Sequence, residues 1–402
     1  MKLEYDRSVT FAKGFRANGI SAGIKQNGLL DVGLIVSERD ASAAAVFTRN
    51  RFQAAPILVS KVNLAGSKSK VRGILVNSGC ANALTGKKGI KSAEKSAAEA
   101  AKHLRISKSQ ILLASTGVIG RQLPVESILE SIPSLIKGLR SEADTTFSQS
   151  IMTTDKFPKQ AASEVVLSKS KKFRIGATAK GAGMIHPNMA TMLCFVTTDA
   201  KIEPKKLQSA LHEAVDRSFN TITVDGDTST NDTVFLLANG VSGTSVKTPA
   251  DYVVFVESLT IILRELAIMI VRDGEGATRF VKLNVESAAT YKDAVKIGRA
   301  VAVSPLVKTA IFGGDPNWGR VISAVGNSEA KFDPAKVELK IGEVSVFRKN
   351  EPQKVDLSVI KNLFSKKDIE MTIRLNAGRE SAQVFTCDLS YDYVKINGEY
   401  TT

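Results

Sequence analysis

The chain has 402 residues, too many for one small core, so two domains or one large two-lobed unit are expected. Hydrophobic residues make up 43% and charged residues 24%, globular values that exclude a disordered chain or a compositional repeat. The net charge is +15, but the lysines are dispersed and aromatics are only 6%, so no nucleic-acid platform is expected and anionic small substrates fit the charge better.

Residues 14–25 are glycine-rich and read as a turn region. Asp31 to Ser37 and Ala44 to Thr48 read as short strands, and Val71 to Val76 as a buried strand ending at Asn77-Ser78-Gly79-Cys80-Ala81-Asn82. Lys91 to Leu104 is a predicted helix, with Ala93, Ala97, Ala100, Ala101 and Leu104 on one face. Ile111 to Ala114 is a short strand that runs into Ser115-Thr116-Gly117. A strand ending in Thr-Gly sets a hydroxyl beside a backbone N–H, the chemistry of an oxyanion hole, although such turns are common.

Pro124 to Leu139 reads as a helix with a kink at Pro133. Strands follow at Glu164 to Leu167 and Arg174 to Thr178. Next comes Lys180-Gly181-Ala182-Gly183-Met184-Ile185-His186-Pro187-Asn188-Met189-Ala190, after which Thr191 opens an apolar run read as a buried strand to Thr197. Pattern alone makes Thr191 an ordinary strand opener. A cut at Ala190–Thr191 would give it a free amine beside its hydroxyl, a nucleophile with its own base.

Pro204 to Phe219 and Asp251 to Arg272 are predicted helices. Between them, residues 223–232 form a dense polar run without the order or terminal Glu of a calcium loop, and read as a hydrogen-bonded turn network. Glu275 lies between two glycines, where it can approach a ligand ammonium. Phe280 to Val285 reads as a strand, Lys292 to Ala302 as a helix and Thr309 to Phe312 as a strand leading to a loop around Trp318. The last ninety residues read as strands at Val337 to Ile341, Met371 to Leu375 and Gln383 to Cys387, with a helix at Leu357 to Phe364. The mixture argues for layered α/β or α+β architecture.

Cys80, Cys194 and Cys387 are odd in number and far apart, so neither a disulfide framework nor a CxxC metal site is expected, and a reducing cytoplasm fits. His103, His186 and His212 have no metal-ligand spacing. No signal peptide is expected from Met1 to Asp6. Tyr252 to Val271 is broken by Glu257, Arg264 and Glu265 and reads as a buried helix rather than a membrane span.

Several blocks occur in one order over nearly the whole chain: Asn77 to Ala83, Ser115 to Gly120, Met152-Thr153-Thr154-Asp155, Lys180 to Leu193, Asp225 to Asp232, Asp315 to Arg320 and Ile396 to Thr402. Any one is weak. Together they resemble the ArgJ family of ornithine acetyltransferases, or glutamate N-acetyltransferases, of arginine biosynthesis.

The resemblance implies a layered α/β sandwich similar to N-terminal-nucleophile hydrolases, with a smaller strand-rich C-terminal lobe. It implies self-cleavage between Ala190 and Thr191, giving an α chain of 1–190, a β chain of 191–402 and an α2β2 assembly. Thr191 is then the nucleophile, and Thr116 and Gly117 match the oxyanion pair. Thr154 (with Thr153 as the other register), Lys180, Thr191, Glu275, Asn397 and Thr402 match substrate-binding positions. The implied substrates are N-acetylornithine and glutamate, with no metal and no cofactor. Bifunctional members also take acetyl from acetyl-CoA, and no residue here decides that point. An N-terminal-nucleophile aminopeptidase or amidohydrolase is the rival reading. Many members read Met-Thr-Thr-Asp-Thr, whereas here Lys156 follows Asp155.

Overall fold

A computed structural model describes residues 1–26, 28–142, 145–168, 170–186 and 192–399. Ala190, Thr191 and Thr402, named above, lie outside the described residues. The architecture is a layered α/β sandwich followed by a smaller lobe built on a second sheet, as expected.

The first sheet holds β1 (Phe15–Ile20), β2 (Val32–Phe47), β3 (Lys70–Asn77), β4 (Ile111–Ser115), β5 (Lys159–Ser168), β6 (Lys171–Lys180), β7 (Leu193–Thr198) and β8 (Thr233–Ala238). Its order is β4-β3-β2-β8-β7-β6-β5, with β1 also on β2. The two short strands expected at Asp31 to Ser37 and Ala44 to Thr48 are one long strand. Its first half pairs with β1 and β3, its second half with β8, and its pairing with β3 slips between Val36 and Ala41. That irregularity lets one strand serve both halves of the sheet. Half of the glycine-rich stretch expected to turn at 14–25 is β1, and bends follow it at 23–25. Gly19 permits this pairing, since a Cβ there would lie 2.1 Å from the Thr146 carbonyl oxygen.

Side chains alternate between two cores with period two. Ile35, Val76 and Leu112 from one half share an inner core with Phe195 and Phe235 from the other, together with Phe147 of α4 (Thr146–Ser150). Outside the first half, Leu34, Leu75 and Leu113 meet α1 (Ala55–Gly66), α2 (Gly86–Leu104) and α3 (Val125–Lys137). The alanine face of α2 buries Ala93, Ala97, Ala100 and Ala101 there, and α3 continues through Pro133. Outside the second half, Ile175, Val196 and Leu236 meet α5 (Pro204–Asp216) and α6 (Pro249–Arg272). The cap of α6 is a reciprocal one between Thr248 and Asp251. No helix among the described residues is long and apolar enough to cross a membrane.

The second sheet has the order β12-β11-β10-β13-β9-β14. It comprises β9 (Phe280–Ala288), β10 (Glu338–Ile341), β11 (Val344–Arg348), β12 (Glu351–Pro352), β13 (Asp368–Arg374) and β14 (Glu380–Cys387). One face packs Leu283, Leu339, Ile373 and Val384 under α7 (Tyr291–Ala302), α8 (Pro305–Gly313), α9 (Trp318–Gly326) and α10 (Leu357–Phe364). The strand expected at Thr309 to Phe312 is part of α8. Ser304 caps that helix, Pro305 opens it, and Gly314 closes it in the left-handed region at φ 65°. Trp318, expected in a loop, opens α9. The chain then reaches α11 (Tyr391–Glu399).

Candidate active site

The candidate residues gather at one edge of the first sheet. Register explains why: Lys159, at the start of β5, faces Ala179, and Lys180, at the end of β6, faces Leu193 of β7, which in turn pairs with Thr233 at the start of β8. The ends of β3 and β4 reach the same place. Asn231 ties them, donating to the carbonyls of Ala81 and Ser115 at 2.6 and 2.8 Å, while Ser115 Oγ donates to Asn77 Oδ1 at 2.6 Å.

Lys180 is the centre. It is 4% exposed, and its Nζ donates to Thr153 Oγ1 at 2.6 Å and to Thr116 Oγ1 at 3.3 Å. Both hydroxyls therefore spend a lone pair on the ammonium and keep a proton to donate. Thr116 is 6% exposed. Beside it, Gly117 has φ 124°, and a Cβ there would lie 2.4 Å from the Gly79 carbonyl carbon and 2.6 Å from the Cys80 nitrogen. Only glycine fits the turn that carries the hydroxyl and the N–H side by side. Thr153, rather than Thr154, is the hydroxyl on Lys180; Thr154 is half-buried nearby.

A chain of buried charges runs back from Lys180. Asp155 accepts the Gly181 N–H at 2.7 Å, the Thr153 N–H at 2.9 Å and the Lys159 ammonium at 2.6 Å. Lys159 also meets Asp273 at 2.6 Å, and both ends of that pair are fully shielded. Burial opposes ionisation of Asp155, yet Lys180 and Lys159 outweigh it and hold the carboxyl well below the usual range. Burial pushes the Lys180 ammonium down, with Asp155 the main opposing charge. Lys25 adds a third cation. Its Nζ donates to the carbonyls of Leu30 and Met152 at 2.8 and 2.6 Å, and burial lowers its pKa to about 8. Lys156, the departure from the resembled pattern, is exposed, and only its backbone N–H reaches Asp273, at 3.0 Å.

The loop after Lys180 is pinned by three acidic residues. Asp155 holds Gly181, Asp225 takes the N–H groups of Met184 and Ile185 at 2.6 and 2.8 Å, and the Glu275 N–H donates to Ala182 O at 2.9 Å. The Glu275 carboxyl lies against Gly183, where a Cβ would sit 2.3 Å from its Oε2. Met184 is held at φ 56°, a left-handed conformation that costs roughly 1–2 kcal/mol. Thr223 Oγ1 also donates to Ile185 O at 2.9 Å, so the polar run 223–232 is indeed a turn network beside this loop. From α11, Asn397 Nδ2 donates to Glu275 Oε2 at 3.0 Å.

Thr116, Gly117, Thr153, Lys180 and Glu275 thus converge, with Asn397 at the rim. Lys25, Lys159 and Asp273 were not singled out from sequence. Lys159 lies before the strand expected at Glu164 to Leu167, which the structure extends back to it, and 114 residues separate it from Asp273, so no local pattern marks the pair. Among the described residues, no group of three His, Cys, Asp or Glu side chains is placed to hold a metal ion.

Fold and site together define a layered α/β protein with a buried lysine-centred polar cluster. A model of the ArgJ family matches residues 16–402. The chain is 46% identical over 398 residues to the arginine biosynthesis bifunctional protein ArgJ of Symbiobacterium thermophilum, covering 98% of each. It is 45% identical over 401 residues to the protein of that name from Dehalococcoides mccartyi, covering 99% of this chain and 98% of the other. The crystal structure of Bacillus halodurans ArgJ is 38% identical with a TM-score of 0.50, covering 51% of this chain and 98% of that one. The chain belongs to the ArgJ family and is an acetyl-transferring enzyme of arginine biosynthesis.

Proposed function

We propose that this chain cuts itself between Ala190 and Thr191 and then carries acetyl from N2-acetyl-L-ornithine to L-glutamate on Thr191. The products of the cut are an α chain of 1–190 and a β chain of 191–402, assembled as α2β2. The observation that carries the reading is the Lys180 ammonium on the Thr116 hydroxyl, at the end of the strand that pairs with β7 two residues beyond Thr191.

An amide nitrogen is no base, whereas a freed α-amine has a pKa of about 7.7–8.0 and can take the hydroxyl proton near neutral pH. Thr191 Oγ attacks the acetyl carbonyl carbon, its proton passes to the α-amine, and the C–O bond forms. The Thr116 hydroxyl and Gly117 N–H receive the oxyanion. The C–N bond then breaks, the amine's proton goes to the departing nitrogen, and ornithine leaves. Glutamate's amine reverses these steps and takes the acetyl group, so the kinetics are ping-pong. Lys180, Thr154, Asn397 and Thr402 hold the amino-acid groups, and Glu275 pairs an ammonium. The threonine supplies the covalent chemistry, so the reading calls for no cofactor; acetyl-CoA is a second donor if the enzyme is bifunctional. A cytoplasmic setting suits the three buried free cysteines.

The test is initial-rate kinetics with acetylornithine and glutamate. Parallel double-reciprocal lines, with acetylglutamate as product, support the reading. Release of free acetate at the same rate without glutamate would instead make the enzyme an amidohydrolase.

A further inference from the structure

Among the described residues, one carboxyl oxygen of Asp232 has no hydrogen-bond partner. Asp232 is the last residue before β8, where the register sets Leu193 beside Thr233. Its Oδ1 accepts the Met192 N–H at 3.0 Å. Its Oδ2 is buried and has no hydrogen-bond partner among the described residues. The residue is 1% exposed. Lys180 acts on it through space but directs its hydrogen bonds to Thr116 and Thr153. A dry, unpaired carboxyl oxygen is costly, so such a group in a native site calls for a partner. Burial also pushes its acid well above the usual carboxylate range, and a cation facing the free oxygen would return it to the charged form.

Met192, whose N–H the other Asp232 oxygen accepts, directly follows Thr191 in the chain. In the uncut chain the Thr191 nitrogen is an amide. Cutting at Ala190–Thr191 makes it an amine with two or three hydrogens. We infer that Asp232 is a positioning residue for the Thr191 α-amine, its Oδ2 accepting a hydrogen from that amine and turning the amine's lone pair towards Oγ. The inference rests on the self-cleaving reading above.

The role is that of a carboxylate behind a general base. When the amine takes the Oγ proton it gains a positive charge, which the carboxylate offsets. When the proton passes to the departing ornithine nitrogen, the pair returns to its starting state. Lys180 is the charged group that acts on Asp232, while Asp155, Lys159 and Glu275 act on Lys180. Asp232 and Lys180 also act on each other, so removing the Asp232 charge alters the amine's surroundings and takes one of three opposing carboxylates from Lys180, whose hydrogen bonds to Thr116 and Thr153 do not involve Asp232.

Asp232→Asn and Asp232→Ser are made in the full chain, so that one folded variant suffices. Wild type is first checked for a Thr191 N-terminus that acetylornithine acetylates; if that fails, the self-cleaving reading falls and not the role of Asp232. A folded variant is expected to be cut like wild type, because the role begins only once the amine exists. Its kcat should fall about 10- to 100-fold, less than the roughly 100- to 10,000-fold worth of a general base. The acidic limb of its kcat/KM profile should move to lower pH, since an amine without its carboxylate loses its proton more easily. A structural role alone would lower kcat or stability and leave the limb in place. An unmoved limb, an unchanged kcat or a folded variant that is not cut overturns the inference.

Discussion

The Lys180 ammonium lies 3.3 Å from the Thr116 hydroxyl, joining two residues 64 positions apart in the chain. The contact fixes the rotamer of the hydroxyl that is to receive the oxyanion, and it leaves that hydroxyl's proton free. Thr116→Ala should cost about 100- to 1000-fold in kcat with little change in KM, and Thr116→Ser should restore most of it. Steady-state rates on the cut enzyme check this. A loss confined to KM would place Thr116 in ground-state binding instead.

Gly117 tolerates no side chain. Its positive φ and the 2.4 Å approach to Gly79 require the backbone to move if a methyl is added. Gly117→Ala should destabilise the fold by roughly 2 kcal/mol or more and lower kcat at least as much as Thr116→Ala. Urea midpoints and single-turnover rates read the two effects separately.

Lys159 is buried between Asp155 and Asp273 at 2.6 Å from each. Lys159→Ala leaves two carboxylates facing one another without their cation, a change that costs about 3–5 kcal/mol. Lys172→Ala removes an exposed partner of Glu164 and should cost no more than about 1 kcal/mol. Chemical unfolding of both variants gives the comparison, and equal midpoints would contradict it.

Asp225 sets a pH window. Burial raises its pKa to about 6, against the donated N–H groups of Asp227, Met184 and Ile185. The folded state then holds a proton that the unfolded state, with its pKa near 3.9, has already released. Between about pH 4 and pH 6 this group therefore lowers stability as pH rises, and above that it changes nothing further. Relative to Asp225→Asn, wild type should lose roughly 1–3 kcal/mol across that window. Unfolding free energies measured at pH 4, 5, 6 and 7 check it; a constant difference would show that Asp225 ionises normally.

The legible parts were those written in local pattern. The alanine face of α2, the proline-opened α5 and the helix Leu357–Phe364 follow from periodicity and caps. α8 was misread because Thr309 to Phe312 is rich in strand formers, while the deciding signals, Ser304 and Pro305, lie upstream. β1 was missed because glycine there serves close packing against Thr146 rather than a turn. The candidate site was legible as ordered motif blocks, three of which begin where β3, β4 and β6 end, at Asn77, Ser115 and Lys180. The ion chain from Lys180 to Asp273 was not, because it is assembled by sheet register across distant segments.

The central claim is that Thr191 becomes an N-terminal nucleophile, and mass spectrometry of the purified protein tests it directly. The account predicts chains of 1–190 and 191–402, an acetyl group appearing on Thr191 after acetylornithine is added, and its loss on addition of glutamate. Thr191→Ala should remain a single, inactive chain. Full acetyl transfer by an uncut wild-type chain would contradict the account.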